Sequence, residues 1–193
     1  MQNKYSGNVS DFQPVVEDAS RVVISYGLTE LGDGKAEWFE VVFYKKQGKP
    51  NLEAVKKAVI DDINARTDEK ILSGYEWTVL HGDDAGKTVK VWLSAENKEN
   101  YKAKYDTAKN DPELITWPSK FKVSENDDLT PIYEYFDNIA ELKAFYYGGL
   151  NYIEQTVNAG WVEKDSIDWA PYEAALNPQP EQTEGTKKST RKK

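Results

Sequence analysis

The stretch HGDDAGKTVKVWL, His81 to Leu93, decides how this chain is to be read. It contains a glycine followed by Gly-Lys-Thr, one residue short of the phosphate-cradling pattern Gly-x-x-x-x-Gly-Lys-Ser/Thr. A phosphate loop needs its full length to wrap backbone N–H groups around the anion, and a helix must follow it. Here only Asp83, Asp84 and Ala85 separate the glycines, and two of them are carboxylates that repel phosphate. Val89, Val91 and Leu93 then alternate with Lys90 and Trp92, the period of a strand and not of a helix. The preceding Tyr75-Glu-Trp-Thr-Val-Leu80 is strand-like as well. The stretch predicts a β-hairpin with a Gly/Asp turn and no nucleotide site.

Working outward, Gly74 stands where a helix usually stops, and Leu52, Val55, Val59, Ile63 and Ile71 recur before it at helical spacing. Asn51 is a suitable N-cap for that helix. Further upstream, Arg21–Leu31 and Glu37–Lys45 alternate around Gly32-Asp33-Gly34, a second hairpin. Its later strand carries large apolar groups on both faces, Phe39, Val41 and Phe43 on one and Trp38, Val42 and Tyr44 on the other. A hairpin that covers a single core has one polar face. This one therefore predicts an attachment element, with Trp38, Phe39, Val42 and Tyr44 as partner-binding residues.

Downstream of the central hairpin, Ser94 caps AENKENYKAKYDTAK, a surface helix whose apolar stripe is Tyr101, Tyr105 and Ala108. Pro112 to Val123 reads as extended, and Thr130–Phe136 as a strand. Asn138 and Glu141 form a capping box for a last long helix with Leu142, Phe145, Tyr146, Gly149, Ile153 and Val157 on one side. Close backbone packing offsets the cost of Gly148-Gly149 in its middle, and Gly160 is expected to end it. The fold class expected is α+β: an N-terminal β-hairpin, then a helix, hairpin, helix, strand and long helix core. The boundaries expected are residues 1–49 for the arm and hairpin, 50–176 for the core with its aromatic C-terminal segment, and 177–193 for a disordered basic tail.

Composition excludes several chemistries. The 193 residues include no cysteine and one histidine, His81, so Cys/His zinc sites, thiol catalysis and disulfides are ruled out. His81, beside the turn, reads as solvated. Asp61/Asp62 and Asp83/Asp84 are sequence neighbours whose side chains diverge, so they read as solvated faces. No catalytic residue, cofactor or metal site is expected. The mean hydropathy is -0.75 and the N-terminus lacks an apolar signal segment, which predicts synthesis in a cytoplasm and no membrane partner.

The net charge of -8 is uneven. Lys187, Lys188, Arg191, Lys192 and Lys193 crowd the end of a tail without apolar residues, leaving an acidic body that is a poor nucleic-acid binder. Nucleic acid is expected, if at all, only at that cluster, which is otherwise a protein-docking tail. Six Trp, twelve Tyr and six Phe suit either an aromatic core or half-buried interfaces.

Four segments, INARTDEKILSGYEWT (63–78), VWLSAENKENYKA (91–103), ITWPSKFKVSENDDL (115–129) and IAELKAFYYGGLNYI (139–153), resemble a domain family of unknown function found in phage tail and prophage genes, near tail-fibre and tail-assembly genes. Ile63, Asn64, Ala65, Asp68, Ile71, Gly74, Tyr75, Ser94, Asn97 and Trp117 carry the resemblance, which spans about residues 50 to 160. It implies a non-enzymatic virion component, made in a bacterial cytoplasm and present in several copies among other phage structural proteins. The alternatives are a tail-fibre assembly chaperone and a carbohydrate-binding module of a host-recognition apparatus.

Overall fold

The computed structural model describes residues 4–177 and is α+β, with every sheet antiparallel. In chain order the principal elements are β1 (Lys4–Asn8), β2 (Val15–Glu17), β3 (Arg21–Gly32), β4 (Lys35–Tyr44), α1 (Leu52–Leu72), β5 (Tyr75–Thr78), β6 (Thr88–Val91), α2 (Ala95–Asn110), β7 (Ser119–Glu125), β8 (Pro131–Phe136), α3 (Ile139–Asp165) and α4 (Ala170–Leu176). Two compact units result, one up to Val59 together with Ile167 onward, the other Ile60–Ser166. This division differs from the expected break at 49/50. The chain passes from one unit to the other inside α1, and α4 returns to the first unit, where it contacts β2. No turn or composition shift marks a boundary inside a helix.

In the first unit the hairpin β3–β4 gains an edge strand on each side, giving the order β1-β4-β3-β2. Val22, Ile24 and Tyr26 point to one face and have no exposed surface; directly opposite them on β4 lie Phe43, Val41 and Phe39. The Tyr26 and Phe39 rings lie 5.9 Å apart. Tyr172 of α4 donates its hydroxyl to the Ser25 carbonyl at 2.8 Å, and burial pushes that hydroxyl's pKa up to about 12. The N-terminal hairpin is thus part of a folded unit and not a free arm.

In the second unit β5–β6 and β7–β8 are separate hairpins, and Phe145 of α3 is the hub of their core. Its ring centroid lies 5.0 Å from Tyr101 and Phe136, 5.2 Å from Trp77, 5.8 Å from Tyr75 and 6.3 Å from Phe121. The pairs with Tyr101 and Trp77 are edge-to-face, a geometry that contributes about 0.5–1.5 kcal/mol per pair beyond burial. Much of the aromatic excess is therefore core. Gly74 joins α1 to β5 at φ +87°, a left-handed conformation that L side chains rarely adopt. Val91 backbone also lies against it, leaving no room for a Cβ.

The N-cap side chains bond as the residues predict, but the capping box of Asn138 and Glu141 does not close, because the Glu141 carboxylate accepts from Asp137 N and Asn138 Nδ2 instead of the Asn138 backbone N–H. Asn51 Oδ1 accepts from Ala54 N, Ser94 Oγ from Asn97 N, and Asn138 Oδ1 from Ala140 N and Glu141 N. One helix end differs. Instead of stopping at Gly160, α3 runs on to Asp165, because Gly160 is a packing glycine beside Thr67 and not a C-cap. The segment 112–123, expected to be extended throughout, opens with a 3-10 turn at Pro112–Leu114 before β7 begins.

Candidate docking surface

β4 places alternate residues on opposite faces of the first unit's sheet, so the four sequence-predicted contact residues do not act together. Phe39 faces Tyr26 on the buried side. Trp38, Val42 and Tyr44 share the second face with Glu40. Trp38 is only 7% exposed. Phe12 packs edge-on to its ring at 6.1 Å, Gly7 lies beneath it, and its Nε1 donates to Glu40 Oε1 at 3.0 Å. The chain between β1 and β2 must connect the two opposite edges of the sheet, and Phe12 lies in that connection. It covers the Trp38 end of the face.

The other end is more open. Val16 pairs with Val23, and Val23 with Val42, so three valines form one row straight across β2, β3 and β4. Val16 is 42% exposed and Tyr44, one pleat along β4, is 55% exposed; Val23 and Val42 are half-buried. Tyr5 of β1, directly opposite Trp38, completes the set. The periphery is charged. Arg21 Nε donates to Asp18 Oδ2 at 2.8 Å, and Glu17 holds Lys45 and Lys49 at 2.8 and 2.9 Å. Beside Tyr44, a hollow of about 280 Å³ is walled by Phe43, Gln47, Pro50 and Ala54. An apolar row inside a polar rim is the anatomy of a protein interface. Tyr5 and Val16 were missed because β1 is polar and β2 has only three residues, and Val23, although on a strand the alternation did identify, joins the row only through its pairing with Val16.

The second unit carries an apolar cavity of about 280 Å³ lined by Tyr75, Leu93, Tyr101, Phe145, Gly149 and Ile153. Gly148 and Gly149 lie flat against the Tyr75 ring, where an added Cβ would come within 3.2 and 3.3 Å of it. This is the close packing expected to offset the two glycines. On the outer face of β7–β8, Lys120 sits 3.6 Å over the Tyr133 ring and Lys122 faces Trp92. Those rings carry ammonium groups and do not present a bare stacking row.

The turn 81–87 leads into β6, a strand, and not into a helix. His81 is not a freely solvated turn residue. Its backbone N–H donates to Glu134 Oε1 and its Nε2 lies 3.2 Å from Glu141 Oε2. Glu134, fully buried, also accepts from Trp77 Nε1, Leu80 N and Tyr135 N. The alternation Ile132, Glu134, Phe136 puts this acid at an inward position, which was the signal available. The predicted tail residues Lys187, Lys188, Arg191, Lys192 and Lys193 lie outside the described residues. Among the described residues no helix is long and apolar enough to cross a membrane. No family model, curated protein or solved structure matches the chain.

Proposed function

We propose that this chain is a non-enzymatic accessory or adaptor component of a bacteriophage virion, at the tail or fibre attachment, acting by docking onto other structural proteins. The observation that carries the docking reading is the row Val16–Val23–Val42 with Tyr44 and Tyr5, apolar groups left partly open on a sheet face whose periphery is charged. Fully burying one valine is worth ~1.5–3 kcal/mol, so a partner covering this row gains from several such groups at once. The phage assignment is supported by the resemblance over residues 50–160, and the basic C-terminal cluster supplies a second, salt-sensitive contact with an acidic surface.

Photo-crosslinking tests the reading. A photoreactive residue at Tyr44, incorporated during phage growth, should join this chain to a structural protein in purified particles. A photoreactive residue at exposed Leu114 should not. Equal labelling from both positions, or none from either, would count against the sheet face as the docking surface.

A further inference from the structure

The side chains of His81, Asp137 and Glu141 come together in the second unit from two places in the chain, the turn after β5 and the N-terminus of α3. Their potential donor atoms all lie within 4.8 Å of one another. His81 Nε2 stands 3.2 Å from Glu141 Oε2 and 3.6 Å from Asp137 Oδ2. A tetrahedral Zn²⁺ with bonds of about 2.0–2.1 Å sets neighbouring donors about 3.3 Å apart. The observed separations bracket that value.

The groups around the donors restrict their movement. Glu141 Oε2 accepts from Asp137 N at 2.8 Å and its Oε1 from Asn138 Nδ2 at 2.9 Å, which orients the carboxylate. Glu134 holds the His81 backbone N–H at 3.1 Å, so the turn that carries the imidazole is itself anchored to β8. Such outer hydrogen bonds orient ligands before the ion arrives. The side chains are 36%, 58% and 26% exposed for His81, Asp137 and Glu141, which gives a cation access and leaves room for water to complete its coordination.

We propose that His81 Nε2, Asp137 and Glu141 form a surface binding site for a divalent cation of the zinc class. One imidazole with two carboxylates is a mixed nitrogen and oxygen set that suits Zn²⁺ better than Mg²⁺ or Ca²⁺, which favour all-oxygen shells. Without the ion, the imidazole serves as a hydrogen-bond partner of Glu141. With it, Nε2 gives its lone pair to the metal, and the proton is carried on Nδ1 of the neutral ring. The ion thereby ties the turn 81–87 to the start of α3, elements separated by more than fifty residues.

Because His81 is the sole histidine, its ring resonances report on this site alone. The full-length chain is titrated with ZnCl₂, followed by calorimetry and by NMR of the imidazole. The expected result is one equimolar site, a shift of the His81 ring signals, and a Tm that rises with Zn²⁺ but not with equal Mg²⁺. His81→Gln and Asp137→Asn should each weaken binding by at least about tenfold. The carboxylate of Asp137 accepts no backbone hydrogen bond among those observed, so its amide variant is expected to keep the fold, checked by circular dichroism. Ring signals unmoved by Zn²⁺, or wild-type affinity in a folded Asp137→Asn chain, would overturn the proposal.

Discussion

Gly160 of α3 sits so close to Thr67 of α1 that a Cβ at position 160 would lie 2.5 Å from the threonine hydroxyl. Thr67 cannot swing away freely, because Oγ1 donates to the Ile63 carbonyl at 2.8 Å. Arg66, one residue along, reaches Glu163 at 2.5 Å and Asp62 at 3.2 Å. Gly160→Ala should therefore destabilise the chain by about 1–3 kcal/mol as an overpacking change. Thr67→Ala in the same chain should recover part of that loss, a non-additivity expected of touching residues. Urea denaturation of the two single variants and the double variant measures it.

Ile63 is fully buried on the apolar side of α1. Ile63→Ala removes its buried methyl and methylene groups and should cost about 2–5 kcal/mol. Chemical denaturation with an unchanged midpoint would contradict the packing of this helix.

Glu134 accepts four hydrogen bonds, at 2.6 Å from Trp77 Nε1, 2.7 Å from Leu80 N, 2.9 Å from Tyr135 N and 3.1 Å from His81 N. Glu134→Leu removes the common acceptor, and each donor left buried without a partner costs about 1–3 kcal/mol. Glu134→Gln keeps one acceptor oxygen and should fall between wild type and Glu134→Leu. Thermal unfolding ranks the three, and a leucine variant as stable as wild type would show the carboxylate to be dispensable.

Glu141 supplies a pH dependence with a definite sign. The Asp137 backbone N–H, followed by His81 and Asn138, stabilises its ionised form and lowers its pKa below the usual glutamate value of 4.5. A carboxyl group lowered on folding contributes stability that is fully present above its unfolded pKa and is lost as pH falls through the folded one. Stability should thus decline below about pH 4.5, with a shallower decline in Glu141→Gln. Identical acid limbs for the two proteins would remove Glu141 from the account.

The helices were legible because caps and apolar periodicity agree. Asn51, Ser94 and Asn138 are short polar residues before regular stripes, and Tyr101, Tyr105 and Ala108 are buried as their spacing required. The hairpin at Gly82–Lys87 was readable from its turn residues and from the alternation after it. Gly160 misled because a glycine late in a helix is the same letter whether it ends the helix or admits a neighbouring one. The edge strands β1 and β2 were illegible for a different reason. Lys4–Asn8 is polar and Val15–Glu17 has only three residues, so neither shows a period, and only the hydrogen bonds of β3 and β4 draw them into the sheet. Trp38 shows the same limit, since alternation names its face but cannot reveal that Phe12 covers it.

Deleting residues 1–48 is not a clean test of the docking surface. Tyr172 of α4 bonds the Ser25 carbonyl, so truncation would dismantle the first unit together with its surface. Substitution within the valine row leaves that scaffold in place. The most direct measurement is the abundance of this chain in purified phage particles, by quantitative mass spectrometry, for wild type and for Val42→Glu, with folding of each checked by circular dichroism. The account predicts that wild type is a particle component and that folded Val42→Glu is depleted at least about tenfold, the equivalent of ~1.4 kcal/mol of lost docking energy. Wild-type incorporation of a folded Val42→Glu chain, or absence of the wild-type chain from the particles, would contradict it.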